Sequence, residues 1–440
     1  MMIETIKIKK GLDIPLGGAP ERHIVDARSI ERYGVKPPDV VGFTPRLLVA
    51  EGDSVSAGQP VVADKNDPRL TLPSPVDGVV EAIVRGEKRK LMEIVVGRTA
   101  PGVSGTHDAA PGVLDAASPC WWMIKERPFG AVANPDHKPK GIFVSMRDTN
   151  PLAPDMDLAL KGREHEFEAG VNALSAYAEV HCVKATGPHP AGNIGTIVAA
   201  ISPINKGEYV WAVNAQDVAT IGRWMLTGEY RPERVISVGG PAAKAPQHYR
   251  VLCGASVQRI CDVQLMDPCY PQLPTTHSPL PTRIISGSVL SGTAIKADGF
   301  LGMYDQQLTF VEEGDQYDFM GWLMPGFKKF SFSKTFLSGF ARLLPTTHYP
   351  LPTQFNTNMH GSVRPFLFTG SFERVFPFDI YPLQLIKACI VGDVELQEKL
   401  GIYEVEPEDF ALCEFIDPSK TEIQTIIREA LEVLRKEAMA

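Results

Sequence analysis

The stretch from Ala50 to Val96 constrains the fold most, because it reads as two short β-rich halves joined by a hairpin. The halves are "VAEGDSVSAGQPVV" and "SPVDGVVEAIV", in which alternating apolar residues are interrupted by Gly and Pro. Alternation with a period of two predicts strands, and the Gly and Pro positions predict the turns between them. We therefore predict a small β-rich unit whose central hairpin has its tip near residues 66–69.

These paired halves resemble those of biotinyl and lipoyl domains, which fold into a barrel sandwich. Such carriers present one Lys at the tip of the hairpin, flanked by Met, Ala or an acidic residue. The predicted tip here, Asn66 to Arg69, contains no Lys, and Lys65 lies before the midpoint and outside a modification motif. We therefore predict that this unit, bounded at residues 1–103, is a scaffold and carries no biotin or lipoate.

The rest of the chain predicts three further units, which makes the fold class a multidomain α/β protein. Apolar runs such as "GIFVSM" alternate with helical segments over residues 120–255, as in a Rossmann-like α/β domain. Short strands over residues 256–330 indicate a β-grasp-like (SLBB-like) domain. Residues 360–440 predict a C-terminal helical domain, whose last helix is preceded by a capping box at Ser419.

Composition excludes several classes of function. The net charge is −8 and the pI is about 5.8, so there is no basic stripe for nucleic acid. No run reaches the 18 or so apolar residues that a membrane-spanning helix needs, so we expect no transmembrane segment. The N-terminus lacks the apolar core of a secretory signal, and we therefore expect a cytoplasmic chain.

The cysteines predict no metal site, whereas two histidines leave one alternative open. The seven cysteines are never two or three residues apart, whereas iron–sulfur clusters need closely spaced thiolates. We interpret them as small hydrophobic or partly exposed thiols. His277 and His348 lie in two nearly identical loops, "LPTTHSPLPT" and "LPTTHYPLPT", which are either similar surface loops or a paired metal site.

The candidate cofactor-binding residues lie in the loop "TGPHPAGNIGT": Gly187, His189, Gly192 and Gly195. Backbone N–H groups of such a loop can bind a flavin phosphate, but no Lys or Arg lies within it, so a structural or docking loop is the other interpretation. His189 is either a hydrogen-bonding residue or a reactive group. No Gly follows "GIFVSM", where a dinucleotide fingerprint would stand. We predict no catalytic residue.

The order of these units, together with seven segments, resembles the NqrA family, a subunit family of the sodium-translocating NADH:quinone oxidoreductases. More distantly, it resembles the NADH-binding flavoprotein subunit of complex I and RnfC-type subunits. The segments that carry the resemblance are "IKIKKGLDIPLGGAP", "LPSPVDGVVEAIVRGEKRKL", "HPAGNIGT", "RIISGSVLSG", "FVEEGDQYDFMGWLMPG", "ERVFPFDIYPLQLIKA" and "LGIYEVEPEDFALCEF". They lie between residues 6 and 415.

The resemblance implies a peripheral subunit on the cytoplasmic face of the inner membrane, with five other subunits, some of them integral to the membrane. That complex couples NADH oxidation and ubiquinone reduction to Na⁺ export. FMN, FAD, riboflavin and iron–sulfur centres are then expected in the partner subunits and none in this chain. The alternative hypothesis is a free-standing soluble flavin- or NAD-dependent oxidoreductase.

A role in quinone binding is also implied by the resemblance. A quinone site needs an apolar cleft with one or two polar groups for the carbonyls. The aromatic segment from Phe366 to Tyr381 is the sequence candidate. It has three interpretations, a quinone cleft, a part of the core, or a surface that docks on a membrane subunit.

Overall fold

The computed structural model describes residues 3–99, 111–265, 281–315, 320–321, 323–326, 329–333, 336–338, 355–366 and 370–439. The strands are β1 (Glu4–Lys7), β2 (Glu21–Asp26), β3 (Arg32–Val35), β4 (Pro45–Leu47), β5 (Ser54–Val55), β6 (Pro60–Asp64), β7 (Thr71–Pro73), β8 (Gly78–Arg85), β9 (Leu91–Arg98), β10 (Lys125–Arg127), β11 (Ala131–Val132), β12 (Ile142–Ser145), β13 (Val180–Thr186), β14 (Val210–Asn214), β15 (Glu233–Gly239), β16 (Gln247–Leu252), β17 (Thr282–Ser286), β18 (Thr293–Ile295) and β19 (Gln307–Glu312). The helices are α1 (Met156–Ala159), α2 (Glu164–Leu174), α3 (Ile194–Ile201), α4 (Ala215–Thr227), α5 (Gln258–Leu265), α6 (Pro382–Val391), α7 (Val394–Lys399), α8 (Ala411–Ile416) and α9 (Ile423–Met439).

The two β-rich halves form two small facing sheets, as the sequence predicts for a barrel sandwich. One sheet has the strand order β3-β9-β8-β5 and the other has the order β4-β6-β7. Alternating side chains of these strands, such as Val62, Leu72 and Ile94, are fully buried between the sheets. The central hairpin joins β6 to β7 through residues 65–70, which contain the predicted tip.

The first two strands lie outside these two sheets, although the sequence assigned residues 1–103 to one unit. Strand β1 pairs in parallel with β13, and β2 pairs in parallel with β16. The pairing of a short strand depends on which sheet edge is free in the folded chain, which local periodicity does not encode. The N-terminal segment therefore joins the two larger sheets before the barrel sandwich begins at β3.

The α/β sheet has the order β1-β13-β12-β14-β10-β11, in which the first four strands are parallel. Within β12, Phe143 packs on the face that α3 covers, whereas Ile142 and Val144 pack toward α2 and α4. Strand β13 lies on one side of β12 and β14 lies on the other. The direction of chain connection therefore reverses between β12 and β14, which makes this position the switch point of the sheet.

Helices α2 and α4 cross at two glycines. A Cβ atom on Gly222 would lie 1.7 Å from the carbonyl oxygen of Glu166, and one on Gly170 would lie 2.0 Å from that of Val218. Both distances are far below van der Waals contact, so any larger residue would push the helices apart. Phe167 and Leu174 form the buried side of α2.

A second six-stranded sheet takes the strand that the sequence placed at the end of the α/β domain. Its order is β18-β17-β19-β15-β16-β2, so "ERVISVGG" (β15) pairs with β16 and β19 and not with β14. The error has a physical reason, since β15 follows α4 with the spacing of one more strand–helix repeat, and spacing does not identify the sheet that a strand joins. Residues 233–252 therefore belong with the strands from 282–312.

The C-terminal helices begin at side-chain caps and at a proline. Asp393 caps α7 by accepting a hydrogen bond from the backbone N–H of Leu396 at 3.0 Å, and Pro407 opens a short 3-10 turn before α8. Helix α9 begins at Ile423 and not directly after the predicted cap Ser419. The backbone N–H groups of Ser419 and Thr421, which precede α9, instead donate to the carboxylate of Asp417. These helices form a second hydrophobic core.

Candidate functional site

The glycine loop between β13 and α3 is shaped by close backbone contacts. A Cβ atom on Gly187 would lie 2.1 Å from the carbonyl oxygen of Ile8, and one on Gly192 would lie 2.2 Å from that of Arg147. Gly187 also has a φ of +135°, which L residues with side chains rarely adopt. Packing of the loop against the N-terminal segment and the end of β12 therefore accounts for these two candidate glycines.

His189 is a buried hydrogen-bonding residue of the same loop, with 2% of its surface exposed. Its backbone N–H donates to Asp13 Oδ1 at 3.0 Å, and its carbonyl accepts from the N–H of Leu12 at 2.8 Å. Its ring Nδ1 lies 3.4 Å from Thr149 Oγ1. Burial lowers the pKa of His189 to about 4, so the ring is neutral at physiological pH.

The first turn of α3, where Gly195 lies, faces a carboxylate from the C-terminal unit. A Cβ atom on Gly195 would lie 2.3 Å from Asp409 Oδ1 and 2.4 Å from Oδ2. Helix N-termini favour negative charge, because their free N–H groups and the helix dipole point outward there. The chain therefore places its own anion where a flavin or nucleotide phosphate would approach α3.

Asp409 is held in this position by Arg127 of β10. Nη2 of Arg127 lies 2.8 Å from Asp409 Oδ2 and also donates to the carbonyl of Glu404 at 3.2 Å. Both side chains of the ion pair are almost completely buried. A second carboxylate, Glu406, lies 3.5 Å from Arg127 Nε. A buried pair of this kind is costly to break, because the partner left behind is a charge without compensation.

A cavity of about 340 Å³ opens beside this ion pair, at the carboxyl ends of β12 and β14. Open α/β sheets bind ligands at such a switch point. Most of the side chains that line the cavity are polar or charged. They include Lys125, Arg127, Ser145, Asp148, Asn150, Asn193, Asn214, Asp217, Tyr304, Asp305, Gln306, Glu406, Glu408, Gln424 and Arg428.

Several charged groups of this wall already have partners within the chain. Asp217 pairs with the buried guanidinium of Arg234 at 2.5 Å. Asp148 accepts hydrogen bonds from the backbone N–H and the side-chain amide of Asn150, and burial raises the pKa of Asp148. The ammonium of Lys125 lies 3.7 Å from the centre of the Tyr304 ring. The wall is therefore occupied largely by internal contacts.

A second cavity, which we call the apolar cleft, has about 330 Å³ and lies between the barrel sandwich and α9. Ten of its sixteen lining residues have apolar side chains, and Lys90, Arg428 and Arg435 add positive charge. Arg435 is paired with Glu432 at 2.9 Å, whereas the structure shows no acceptor for Arg428 among the described residues. The apolar residues of the cleft are Pro37, Pro38, Val40, Val41, Phe43, Pro45, Leu91, Phe129, Pro407 and Leu431.

The aromatic segment that the sequence offered as a quinone cleft is mainly part of the core. Phe372, Phe376 and Phe378 are buried in the second hydrophobic core, whereas Tyr381 is exposed. Residues 367–369 of the segment lie outside the described residues. Of its three interpretations the core is confirmed for these three phenylalanines, and none of its described residues lines either cavity.

The hairpin tip of the barrel sandwich is attached to the α/β domain. Arg69 at this tip lies 2.6 Å from Asp136 and 2.8 Å from Asp67. A carrier hairpin must instead swing freely to move its cofactor between sites. The preceding Lys65 is exposed, but it stands beside an anchored turn, which supports the interpretation of this unit as a scaffold.

Five of the six described cysteines are buried, and the sixth, Cys389, is partly buried. Burial raises the pKa of Cys253 to about 11 and that of Cys261 to about 12, which disfavours the thiolate that a metal or cluster needs. Over the described ranges, no group of three potential metal ligands comes together, and no helix is long and apolar enough to cross a membrane. Cys269, His277 and His348 lie outside those ranges.

Sequence reasoning missed the ion pair of Arg127 and Asp409, which is the main electrostatic feature of the site. The two residues are 282 positions apart. The one available signal was the segment "EPED" from Glu406 to Asp409, which puts three carboxylates beside a Pro and requires a nearby cation. Nothing in the segment identifies that cation as Arg127.

Comparison with known proteins connects this geometry to a family. Residues 6–99 match the model described as the NqrA N-terminal barrel-sandwich hybrid domain. Residues 114–186 and 176–230 match the model described as the NqrA second alpha/beta domain, which ends before β15. The structure of an NAD⁺-reducing [NiFe]-hydrogenase aligns at 10% identity, and the alignment covers 68% of this chain and 55% of the hydrogenase chain. Its TM-score of 0.32 is too low to indicate a common fold.

Relatives named as the NqrA subunit of the Na⁺-translocating NADH-quinone reductase align over nearly the whole chain. The protein of Rhodopirellula baltica is 35% identical over 98% of both chains. Those of Pseudomonas aeruginosa and Neisseria meningitidis serogroup B are 36% and 34% identical over 98% of this chain and all of theirs. The chain belongs to the NqrA family, whose members are subunits of the Na⁺-translocating NADH-quinone reductase, an oxidoreductase complex that translocates sodium.

Proposed function

We propose that this chain is a peripheral, cofactor-free subunit of its complex, that it lies on the cytoplasmic face of the membrane, and that it contributes to quinone binding. Flavins and iron–sulfur centres are assigned to the five partner subunits, some of them integral to the membrane. The cytoplasmic placement follows from the reductant in the relatives' name, since NADH is a cytoplasmic electron donor. The single observation that carries the cofactor-free assignment is the closed N-terminus of α3.

A phosphate-bearing cofactor would need that N-terminus to be open. In Rossmann-type sites the phosphate lies against the glycine turn and the first turn of the helix. Here Asp409 lies against Gly195, and the loop glycines contact the backbone of Ile8 and Arg147. A second anion at the same point would meet the negative charge of Asp409 in a dry environment, where repulsion is strong.

The apolar cleft supports the quinone assignment better than the polar cavity does. Quinones carry a flat apolar ring and an apolar tail with two carbonyl oxygens, so they favour apolar walls with few hydrogen-bond donors. The cleft has this composition, and Arg428 lies at its wall without a carboxylate partner among the described residues. We assign the ring to the apolar wall and one carbonyl to the guanidinium of Arg428.

The cofactor assignment is tested on the subunit taken from the purified complex. Flavin is measured by fluorescence after acid extraction, iron is measured by a colorimetric assay, and the subunit's intact mass is determined. We expect no stoichiometric flavin or iron and a mass equal to that of the bare sequence. One flavin or one cluster for each chain would refute the assignment and would favour the alternative, an oxidoreductase with its own cofactor.

The quinone assignment is tested by putting a charge into the cleft. Val41→Asp in the assembled complex is expected to raise the KM for quinone at least tenfold, because a carboxylate in an apolar wall excludes the ring. The KM for NADH should stay unchanged. Val113→Asp, at an exposed position away from both cavities, is the control. Equal quinone kinetics for both variants would show that the cleft does not bind quinone.

A further inference from the structure

We propose that the turn from Glu406 to Phe410 is a proton-sensitive latch, which closes the C-terminal helical unit onto the α/β domain when Glu408 is protonated and loosens when Glu408 ionises. The device is separate from the cofactor and quinone assignments. It concerns how firmly two units of the chain are held together as pH changes.

The latch has a fixed partner on the α/β side. Asp409 contacts Arg127 of β10 and the first turn of α3 at Gly195. On the C-terminal side the turn is closed on itself, because the N–H of Glu406 donates to Asp409 Oδ2 at 2.9 Å and the N–H of Asp409 donates to the Glu406 carbonyl at 3.0 Å. The turn leads directly into α8, so a shift of the turn moves the helical unit.

The turn carries more negative charge than its partner neutralises. Glu406, Glu408 and Asp409 stand within four residues, opposite the single guanidinium of Arg127, which already bonds Asp409. Lys125 of β10 reduces this excess from one side. Helix α3 presents no titratable side chain, since its sequence is "IGTIVAAI". The other charged groups on the same cavity wall are Arg428 of α9, Asp148 after β12, Asp217 of α4 and Asp305.

Glu408 is the carboxyl that can exchange a proton. It lines the polar cavity, so water can reach it, although the surrounding protein reduces its hydration. Its surroundings raise the pKa of Glu408 to about 7, first through loss of hydration and then through repulsion from Asp409 and Glu406. Asp409 has no such contact with water, and its pairing with Arg127 opposes the effect of burial.

The direction of the pH effect follows from this raised pKa. A carboxyl that binds its proton more tightly when the latch is closed favours closure at low pH, and this contribution is lost as pH rises from the pKa of the free carboxyl to about 7. If the open turn restores an ordinary Glu pKa, the opening equilibrium rises about tenfold between pH 6 and pH 8.

Hydrogen exchange on the full chain tests the proposal. Backbone amides of residues 402–416 are followed by mass spectrometry in half-unit steps between two limits, pH 6 and pH 8, with labelling times scaled for the intrinsic exchange rate. We expect protection to fall about tenfold between the two pH values in the wild type and to stay constant in Glu408→Gln. Glu395→Gln, which alters an exposed carboxyl of α7 in the same unit, should behave like the wild type.

A second variant keeps the test informative if Glu408→Gln folds poorly. Lys125→Met removes a cation that lowers the pKa of Glu408, so the midpoint of the protection change should move to higher pH. If the turn has only a structural role, Lys125→Met changes the level of protection but does not move the midpoint. Protection that is equal at both pH values in the wild type, or a midpoint that Lys125→Met leaves in place, would overturn the proposal.

Discussion

The polar cavity and the apolar cleft have nearly the same volume, about 340 and 330 Å³, but their walls differ in kind. They flank the same turn, because Glu406 and Glu408 line the cavity and Pro407 lines the cleft. Arg428 borders both. The cavity lies where the fold predicts a ligand, yet its charged groups mostly hold one another. The cleft lies at a junction between units, and Val40, Leu91 and Leu431 of its wall also belong to the two hydrophobic cores.

This difference shows that the position of a cavity in the fold and the chemistry of its wall are separate criteria for a ligand site. A switch point is a suitable place for a cofactor only if its helix N-terminus and glycine loop are open. In this chain both are filled by the protein itself. Substitutions around the polar cavity should therefore change stability, whereas substitutions in the cleft should change quinone kinetics.

The largest expected effect comes from the buried ion pair beside the cavity. Arg127→Met leaves Asp409 without its cation, and we expect a loss of about 3–5 kcal/mol in the free energy of unfolding, measured with denaturant. Lys399→Met, which breaks an exposed pair with Glu395, should cost no more than about 0.5 kcal/mol. A small loss for Arg127→Met would mean that the cavity wall is not structural.

A glycine substitution examines the same contact from the helix side. Gly→Ala inside a helix normally stabilises it by roughly 1 kcal/mol, but at Gly195 the new methyl would meet Asp409 at 2.3 Å. We expect Gly195→Ala to destabilise the protein by up to about 3 kcal/mol in thermal or denaturant unfolding.

Thr196→Ala is the matched control for this substitution. At the next position of α3 it removes a buried hydroxyl that has no hydrogen-bond partner among the described residues. It should leave stability unchanged or raise it slightly. If Gly195→Ala is also neutral, the carboxylate does not close the helix terminus, and the comparison between the two cavities fails.

The pH dependence of stability reports on the candidate loop. Because the pKa of His189 is lowered to about 4 in the fold, the unfolded chain binds more protons below pH 6.5, and stability falls as pH drops. Between pH 7 and pH 5 this effect amounts to about 2 kcal/mol. His189→Gln should abolish that part of the loss, whereas His165→Gln, at an exposed position, should retain it. If the pH dependence of stability is the same in His189→Gln as in the wild type, the ring of His189 is solvated and not buried.

The smallest effect is expected in the cleft and is kinetic. Arg428→Gln removes the proposed donor to a quinone carbonyl, and one such hydrogen bond corresponds to about a fivefold rise in the KM for quinone. The stability of the complex and the KM for NADH should not change. Lys436→Gln, about two turns farther along α9, is the control. A loss of stability without a kinetic effect would assign Arg428 to structure, like the wall of the polar cavity.

Local patterns predicted the elements of the fold well. The barrel-sandwich halves and the alternation of strands and helices in the α/β domain follow from periodicity, which acts over a few residues. The missing Lys at the hairpin tip also indicated a scaffold, and the contact of Arg69 with Asp136 now supports that interpretation.

Long-range pairing could not be predicted in the same way. Strand β15 has the spacing of an α/β repeat but joins another sheet, and β1 and β2 leave the barrel sandwich for two different sheets. The closure of α3 depends on Arg127 and Asp409, which are 282 residues apart. These outcomes depend on which partners the folded chain brings together, and no short segment contains that information.

The most direct test of the central claim, that α3 is closed to phosphate-bearing cofactors, is a calorimetric titration of the full chain with FMN and with NADH. We expect no saturable binding of either compound at millimolar concentration. Binding of either one at a stoichiometry of one, with a dissociation constant in the micromolar range, would contradict it, because Asp409 would then have to leave the position that it occupies beside Gly195.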